Sequence, residues 1–133
     1  MFTAKRDHQL VVRVTNEIGV LADLAKVVAE HGINLLAISG MGQSDRGEIC
    51  FITDDNVRAA DALKAHRYGT EQQSVVVLDA EHKPGLLRRV AEKLAHGGID
   101  IERIYASASA GQDRCYVVLH TSDDERALVL LNE

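Results

Sequence analysis

The sequence repeats itself, and this duplication constrains the fold more than any other feature. Gly19 and Gly85 lie 66 positions apart, and the same offset relates Gly32 to Gly98 without a gap. The apolar positions that follow the same offset are Leu21 and Leu87, Ala25 and Ala91, Ala29 and Ala95, and Ile33 and Ile99. Self-similarity at a fixed period marks repeated supersecondary units. We therefore expect two domains, over residues 1–71 and 72–133.

Each repeat is predicted to begin with a strand, a glycine turn and an amphipathic helix. In the first repeat, residues 10–15 alternate as a strand, and residues 20–31 carry an apolar stripe at helical spacing. The positions expected to be buried on this helix are Leu21, Leu24, Ala25 and Val28. Strands at 33–40 and 49–54 follow, and then a helix at 55–65. That helix is expected to bury Val57, Ala60 and Leu63.

The second repeat follows the same plan, with a strand at 74–80, a helix at 86–96, strands at 99–106 and 115–121, and a last helix from 122. Its first helix is expected to bury Leu87, Val90, Ala91 and Leu94. The turn at 108–113 has two additional residues, because Thr53 corresponds to Thr121 at an offset of 68. A weak closing strand at 67–70 ends the first repeat, and the second has no counterpart. One edge of its sheet must therefore lie open or be paired by something else.

These elements predict an α+β fold of two tandem ferredoxin-like βαββαβ repeats, with antiparallel sheets and helices on one face, the second repeat lacking its final strand. Several strands are apolar in both phases, so we expect the other face to be covered by a second subunit of a homodimer. Apolar positions three apart, as at Leu35 and Ile38, break the strand period in both repeats. This spacing predicts bulges near residues 36–37 and 102–103.

Composition and motifs exclude several classes of function. A net charge of -5 and a pI near 5.6 argue against nucleic acid as a partner. Residues 46–53, RGEICFIT, resemble an RNA-recognition motif but contain only one aromatic residue, Phe51. No apolar run approaches the ~18 residues of a membrane span, and no signal-peptide core is present. We therefore expect a cytoplasmic protein that contacts no membrane.

Neither a metal site nor a catalytic centre is indicated. The two cysteines lie apart in strand-like segments, and the six histidines show no metal-ligand spacing and no nucleophile beside a base. The prediction is a protein that is not an enzyme and that binds no metal or cofactor.

The strand–helix turn is the candidate ligand site of each repeat. A helix N-terminus offers free N–H groups that can hold a carboxylate, and glycine lets a ligand approach the backbone. Asn16 and Asn34 flank Gly19, and we expect both amides to face the same end of the sheet. Amide side chains suit the carboxylate and ammonium of an amino acid. The alternative is structural: Asn16 caps the helix, Gly19 serves the turn and Asn34 follows the helix stop.

Two segments, NEIGVLADLAKVVAEHGINLLAIS and EHKPGLLRRVAEKLAHGGIDIERIYAS, resemble the ACT domain, a small-molecule regulatory module of amino-acid metabolism. In the ACT domain of phosphoglycerate dehydrogenase, serine is held by side chains three before and fifteen after the turn glycine, which correspond to Asn16 and Asn34. Val14 stands where that site has a histidine, and Ile18 where the family prefers proline. The ligand-binding residues implied are Asn16, Ile18, Gly19, Val20, Leu21, Asn34, His82, Pro84, Gly85, Leu86, Leu87 and Asp100.

The resemblance implies a non-catalytic regulatory protein. It would bind an amino acid or a similar small metabolite at ACT-repeat interfaces, form a homodimer and signal to a metabolic enzyme partner. The main alternative is a ligand-free module that only dimerises, and RNA binding is a distant third hypothesis.

Overall fold

The computed structural model describes residues 2–108 and 113–133; most of the turn expected at 108–113 lies outside them. The elements in chain order are β1 (Phe2–Thr15), α1 (Val20–Glu30), β2 (Leu35–Gln43), β3 (Arg46–Thr53), α2 (Asn56–Ala65), β4 (Thr70–Glu81), α3 (Leu86–His96), β5 (Ile101–Ala108), β6 (Arg114–Thr121) and α4 (Asp124–Asn132). The fold is α+β, and the strand pairs β1–β3, β2–β3, β4–β6 and β5–β6 are antiparallel.

The chain divides into two compact units. The first unit comprises His8–Gln73, and the second unit combines Met1–Asp7 with Ser74–Glu133. Both β1 and β4 therefore contribute residues to each unit.

In the first unit the strand order is β2-β3-β1-β4. The register pairs Phe51 of β3 with Leu10 of β1 on one side and with Ile38 of β2 on the other. Side chains of α1 and α2 cover this sheet and form one buried cluster with it: Leu10, Val12, Leu24, Val27, Val28, Ile33, Ile49, Phe51, Ala59, Ala62 and Leu63. An apolar cluster of this kind is the main source of stability in a small unit.

In the second unit the order is β5-β6-β4-β1. Leu78 of β4 pairs with Val117 of β6, and Ile104 of β5 pairs with Leu119 of β6. The buried cluster beneath α3 and α4 contains Ala4, Val76, Leu78, Ala80, Val90, Leu94, Ile99, Cys115, Val117, Leu119, Ala127 and Leu131.

The N-terminal half of β1 is the strand that the second repeat lacks at its C-terminal end. Ala4 is buried in the second unit's core, and its backbone N–H and C=O both bond the side chain of Asn132, at 3.0 and 2.9 Å. Arg6 forms an ion pair with Glu125 of α4 at 3.1 Å. Residues 10–15 were expected as the whole first strand, and the expected first domain began at residue 1. The structure instead starts β1 at Phe2 and places Met1–Asp7 with the second unit.

The second helix of each unit begins with the same cap. The Asp55 side chain accepts a hydrogen bond from Arg58 N at 3.2 Å, and that of Asp123 accepts one from Arg126 N at 3.1 Å. Aspartate is among the preferred N-cap residues because it satisfies an N–H group that the helix leaves unpaired. The segments around α2 and α4 thus form the same local structure at an offset of 68 positions.

The predicted bulges are confirmed. The register shifts between Leu35 and Ala37 in β2, and between Ile101 and Arg103 in β5. In each strand one additional residue, Leu36 or Glu102, changes which side chains face the helices.

Part of the expected burial pattern is wrong. Leu21 and Leu87, in the first turn of α1 and of α3, are 50% and 64% exposed. On α2, Ala59, Ala62 and Leu63 are buried, whereas Val57 is 64% exposed. The weak strand expected at 67–70 is not formed by residues 67–69; one continuous strand, β4, begins at Thr70 and includes the strand expected at 74–80.

The argument for a covering subunit is not supported. Cys50, Val75, Val77 and Val118 lie outside both helix-side clusters, yet each is at most 1% exposed in the single chain. A second copy is therefore not needed to remove these side chains from water. In the described part of the chain, no helix combines the length and the apolar character needed to cross a membrane.

Candidate functional site

The turns that precede α1 and α3 have the same geometry. Gly19 and Gly85 are the N-cap residues, with φ of 93° and 92°. In each turn the glycine carbonyl accepts the first helical hydrogen bond at 3.0 Å, from Asp23 N and from Arg89 N. Positive φ is accessible to glycine at little cost, which explains why glycine occupies both positions.

Some N–H groups of these turns are already used. Val20 N donates to Glu17 O at 3.2 Å, and Leu86 N donates to Lys83 O at 3.3 Å. Within the described residues, the N–H groups of Leu21 and Leu87 have no backbone partner. They lie at the positive end of a helix dipole, where an anionic ligand group is favoured.

A cavity opens beside each turn, between the start of the helix and the hairpin that follows it. The first cavity, of about 300 Å³, is lined by Val14, Asn16, Val20, Leu21, Ile38, Gly40, Met41, Gly42, Gly47 and Ile49. The second cavity, of about 310 Å³, is lined by His82, Lys83, Gly85, Leu86, Leu87, Val90, Ile104, Ala106, Ala108, Cys115 and Val117. Most of these residues correspond at the offset of 66 or 68, so the two cavities are equivalent positions of the two units.

Asn16 lines the first cavity but does not cap α1, contrary to the structural alternative considered from the sequence. The N-cap of α1 has no side-chain hydrogen bond. The Asn16 amide donates instead to Ser44 O at 3.1 Å, in the turn between β2 and β3. This bond leaves the amide oxygen as an available acceptor.

The mouth of the second cavity carries two basic side chains. His82 replaces Asn16, and Lys83 replaces Glu17 at the next position. Lys83 Nζ lies 2.7 Å from Glu81 Oε2, and this hydrogen bond and charge lower the pKa of Glu81 below its ordinary value. In the described structure the polar side chains of this cavity are basic, whereas its remaining wall is largely apolar.

Asn34 and Asp100 are not part of the cavities of their own units. Both β1 and β2 run antiparallel to β3, so they are parallel to each other. Asn16 follows the end of β1, whereas Asn34 precedes the start of β2, and the eleven residues of α1 lie between them. An α-helix of that length spans about 16 Å. The expectation that both amides face the same end of the sheet is therefore wrong.

The backbones at these two positions instead join two strands. Asn34 N donates to Asp54 Oδ1 at 3.0 Å, and Asp54 N donates to Asn34 O at 3.1 Å. Asp100 and Ser122 form the corresponding pair at 3.0 and 2.9 Å. Both side chains, those of Asn34 and Asp100, remain exposed.

Of the predicted site residues, the cavities bring together Asn16, Val20 and Leu21 in the first unit, and His82, Gly85, Leu86 and Leu87 in the second. Gly19 shapes the turn but does not line the cavity, and Ile18 and Pro84 are exposed and line neither cavity. The sequence reasoning missed Lys83 and the whole hairpin wall. The hairpin wall could have been found from the apolar spacing of three residues that ends at Ile38 and at Ile104. This spacing indicates the bulge, and the bulge places both side chains in the cavity linings.

One side chain ties the first turn of α1 to the segment after α2. Tyr68 Oη donates to Asp23 Oδ2, and this hydrogen bond, with a smaller contribution from burial, raises the pKa of Tyr68 above its ordinary value. Asp23 is not among the residues that line the first cavity. Among the described residues no group of three or more potential metal ligands is found.

Residues 8–68 match the family model of the ACT domain. The matched segment, slightly less than half of the chain, is similar to the ACT domain. Protein BT0572 from Bacteroides thetaiotaomicron is a similar solved structure, with 28% sequence identity and a TM-score of 0.89 over 96% of this chain and 88% of that chain. No curated protein sequence matches the chain.

Two further solved structures are regulatory subunits of aspartate kinase. The ligand-free form from Thermus thermophilus has 19% identity and a TM-score of 0.70, covering 98% of this chain and 95% of that chain. The subunit from Thermus flavus has 20% identity and a TM-score of 0.64, covering 98% and 94%. At these identities the likeness shows only that the fold is shared.

Proposed function

We propose that this protein is a non-catalytic regulatory module of two tandem ACT repeats that binds an amino acid or a similar small metabolite. The observation that carries the proposal is the pair of equivalent cavities beside Gly19 and Gly85. A cavity of about 300 Å³ with a largely apolar wall and a few polar groups is the usual form of a small-ligand site. Its recurrence in both units, despite different side chains, supports a common role.

In this proposal the ligand carboxylate contacts the free N–H groups at the start of the helix, and its side chain fills the apolar cavity. Asn16 then supplies an amide oxygen for the ligand ammonium. The partner that responds to the ligand-bound form is a metabolic enzyme on another chain. An enzyme partner is supported by analogy, because two proteins of similar fold are regulatory subunits of aspartate kinase.

In the proposed homodimer, Asn34 and Asp100 of one copy contact the ligand site of the other copy. Each side chain is exposed and lies at the opposite end of its helix from the cavity of its own unit. Leu21, Ile38 and Met41 are exposed apolar side chains around the first cavity, and exposed apolar groups of this kind mark interaction surfaces. A homodimer that places Asn34 of one copy over the cavity of the other would complete the site.

The first experiment is a thermal-shift screen of the full chain against the common amino acids and their precursors. A ligand at 100 times its Kd stabilises the folded state by about 2.7 kcal/mol, which is readily detected. If no compound stabilises the protein, the proposal is wrong and the ligand-free dimerisation module takes its place.

Cavity-filling variants then locate the site. Gly40→Leu fills the first cavity at a position where an added Cβ meets nothing within 4 Å. Ala106→Leu is the equivalent change in the second cavity. Each variant should remove the binding event of its own cavity in calorimetry, whereas Val57→Leu, at an exposed position outside both cavities, should remove none. Binding that survives both fillings would place the site elsewhere.

The contribution of the second copy is tested with Asn34→Ala. Loss of a hydrogen bond to a charged ligand group should weaken binding about ten- to a hundredfold, without changing the thermal stability of the free protein. Light scattering on the same samples measures whether binding and self-association occur together. Equal affinity of wild type and variant would exclude Asn34 from the site.

A further inference from the structure

The two cavities differ in the charge of their linings. In the second unit Lys83 lines the cavity together with His82. In the first unit the cavity has Asn16 as its polar side chain, and its described lining contains no charged residue. Glu17, which is equivalent to Lys83, does not line it. Lys83 therefore gives the second cavity a positive charge that attracts an anionic ligand group.

Lys83 is held at the mouth of the second cavity. Its ammonium group is 2.7 Å from the carboxylate of Glu81, which lies outside the cavity lining. An ammonium group has three N–H donors, so one bond to Glu81 leaves two for a ligand. The His82 imidazole, on the same rim, has no hydrogen-bond partner of its own among the described residues. Both groups are suited to bind a carboxylate.

An amino acid would fit this cavity poorly. Its ammonium would find no aspartate or glutamate in the described lining, which leaves the His82 imidazole as the side-chain acceptor. Asp100, which the sequence suggested for this role, lies at the far end of α3. The ammonium would instead lie close to Lys83, and like charges in a partly enclosed site repel each other.

We propose that the second cavity binds a small aliphatic carboxylate that carries no amino group, whereas the first cavity binds an amino acid. The proposal rests on the proposed function, since it assigns the ligand class of one of its two sites. Leu86, Val90, Ile104 and Val117 supply the wall for a branched aliphatic chain. The volume of about 310 Å³ is at the small end of ligand cavities, which favours a small ligand such as a leucine-sized carboxylate.

Three probes with the same carbon skeleton separate the contributions of the amino group and the oxo group. They are leucine, 4-methyl-2-oxopentanoate and 4-methylpentanoate. Each is titrated by calorimetry into the full-length Gly40→Leu protein, in which only the second cavity is open. Both carboxylates without an amino group should bind at least tenfold more tightly than leucine. A difference between the two carboxylates shows whether an oxo acid or a saturated acid is preferred.

The residue assignment is tested with Lys83→Gln in the same background. Loss of the ammonium should weaken both carboxylates about ten- to a hundredfold and should leave leucine unchanged or slightly tighter. Lys26→Gln, at an exposed lysine of α1, is the matched control for loss of one positive charge. Adding Ala106→Leu should abolish binding of all three probes.

The outcomes distinguish this inference from the proposed function. If leucine binds the second cavity as tightly as the two carboxylates, or if Lys83→Gln changes nothing, the inference is wrong and the regulatory proposal stands. If carboxylates bind the second cavity while no amino acid binds the first, the ligand class assigned to the second cavity is correct and the amino-acid assignment of the first cavity is wrong. If no probe or amino acid binds either cavity, both are wrong.

Discussion

Gly42 is the residue at which the first cavity leaves least room for a side chain. A Cβ atom there would lie 2.7 Å from both polar atoms of the Asn16 amide and 2.8 Å from its carbon. We predict that Gly42→Ala displaces Asn16, breaks its hydrogen bond to Ser44 and lowers the free energy of unfolding by about 1–3 kcal/mol. Chemical denaturation measures this change.

Gly40 provides the control on the same strand. A Cβ at this position meets nothing within 4 Å, and its φ is not positive. Gly40→Ala should therefore change the free energy of unfolding by less than about 0.5 kcal/mol. Equal destabilisation by the two substitutions would show that strand propensity, rather than the Asn16 contact, decides the effect.

Tyr68 gives a prediction on pH dependence. The hydrogen bond to Asp23 raises the pKa of its phenol in the folded state. Between the ordinary value near 10 and the raised value, the folded chain binds more protons than the unfolded chain, so the stability present below pH 10 is lost as the pH rises. NMR titration of the Tyr68 ring should show this raised pKa. Asp23→Asn should lower it toward 10, and Asp61→Asn, at an exposed aspartate, should leave it unchanged.

The sequence reasoning misassigned the burial of Leu21 and Leu87 and missed Lys83 altogether. The periodicity of α1 and α3 assigned the two leucines to the buried stripe, but periodicity identifies a face and does not show which of its residues contact the core. Both side chains are at least half exposed and line the cavities. Lys83 was missed because its role depends on the hairpin wall opposite, which no local pattern describes.

At the scale of elements, the sequence predicted the features that neighbouring residues determine. It did not predict a strand whose formation depends on a distant segment of the chain. The bulges at Leu36 and Glu102 follow from apolar spacing within one strand, and the glycine turns follow from backbone conformation. The N-terminal half of β1 could not be found in this way. Its residues alternate weakly, and only the missing edge of a sheet some 70 residues away gives it a partner.

We predict that Asn132 stabilises the N-terminal half of β1 in the second unit. Its amide bonds both backbone groups of Ala4, at 3.0 and 2.9 Å. Asn132→Ala leaves two partly buried backbone groups without a protein partner and should cost about 1–3 kcal/mol of unfolding free energy. Hydrogen exchange should show lost protection in β4 and β6 and little change in β2 and β3. Asn132→Asp, which keeps only the acceptor for Ala4 N–H, should show an intermediate effect.

At the scale of the whole molecule, the two units differ in how the chain builds them. The first unit is one continuous segment, His8–Gln73, whereas the second is assembled from two segments that are far apart in sequence. Each unit has its own buried cluster, drawn from its own residues. A continuous segment of this size can fold alone, whereas residues 74–133 lack one strand of their sheet.

This difference predicts the behaviour of three fragments. Residues 8–73 should give a dispersed NMR spectrum and a cooperative thermal transition, and residues 74–133 should give neither. Folding of the latter should be restored when residues 1–7 are attached after Glu133. A short linker is sufficient, because Asn132 already bonds Ala4 and three strand residues span only about 10 Å.

The control for that permuted chain carries Ala4→Asp, which places a carboxylate at a position that is 5% exposed in the second unit's core. Burial of an unpaired charge is costly, so this variant should remain unfolded. Lys5→Asp, at the neighbouring exposed position, should fold like the unmodified permutant. If residues 74–133 folded cooperatively without the first seven residues, or if both substituted permutants folded equally well, the edge strand would not be required by the second unit.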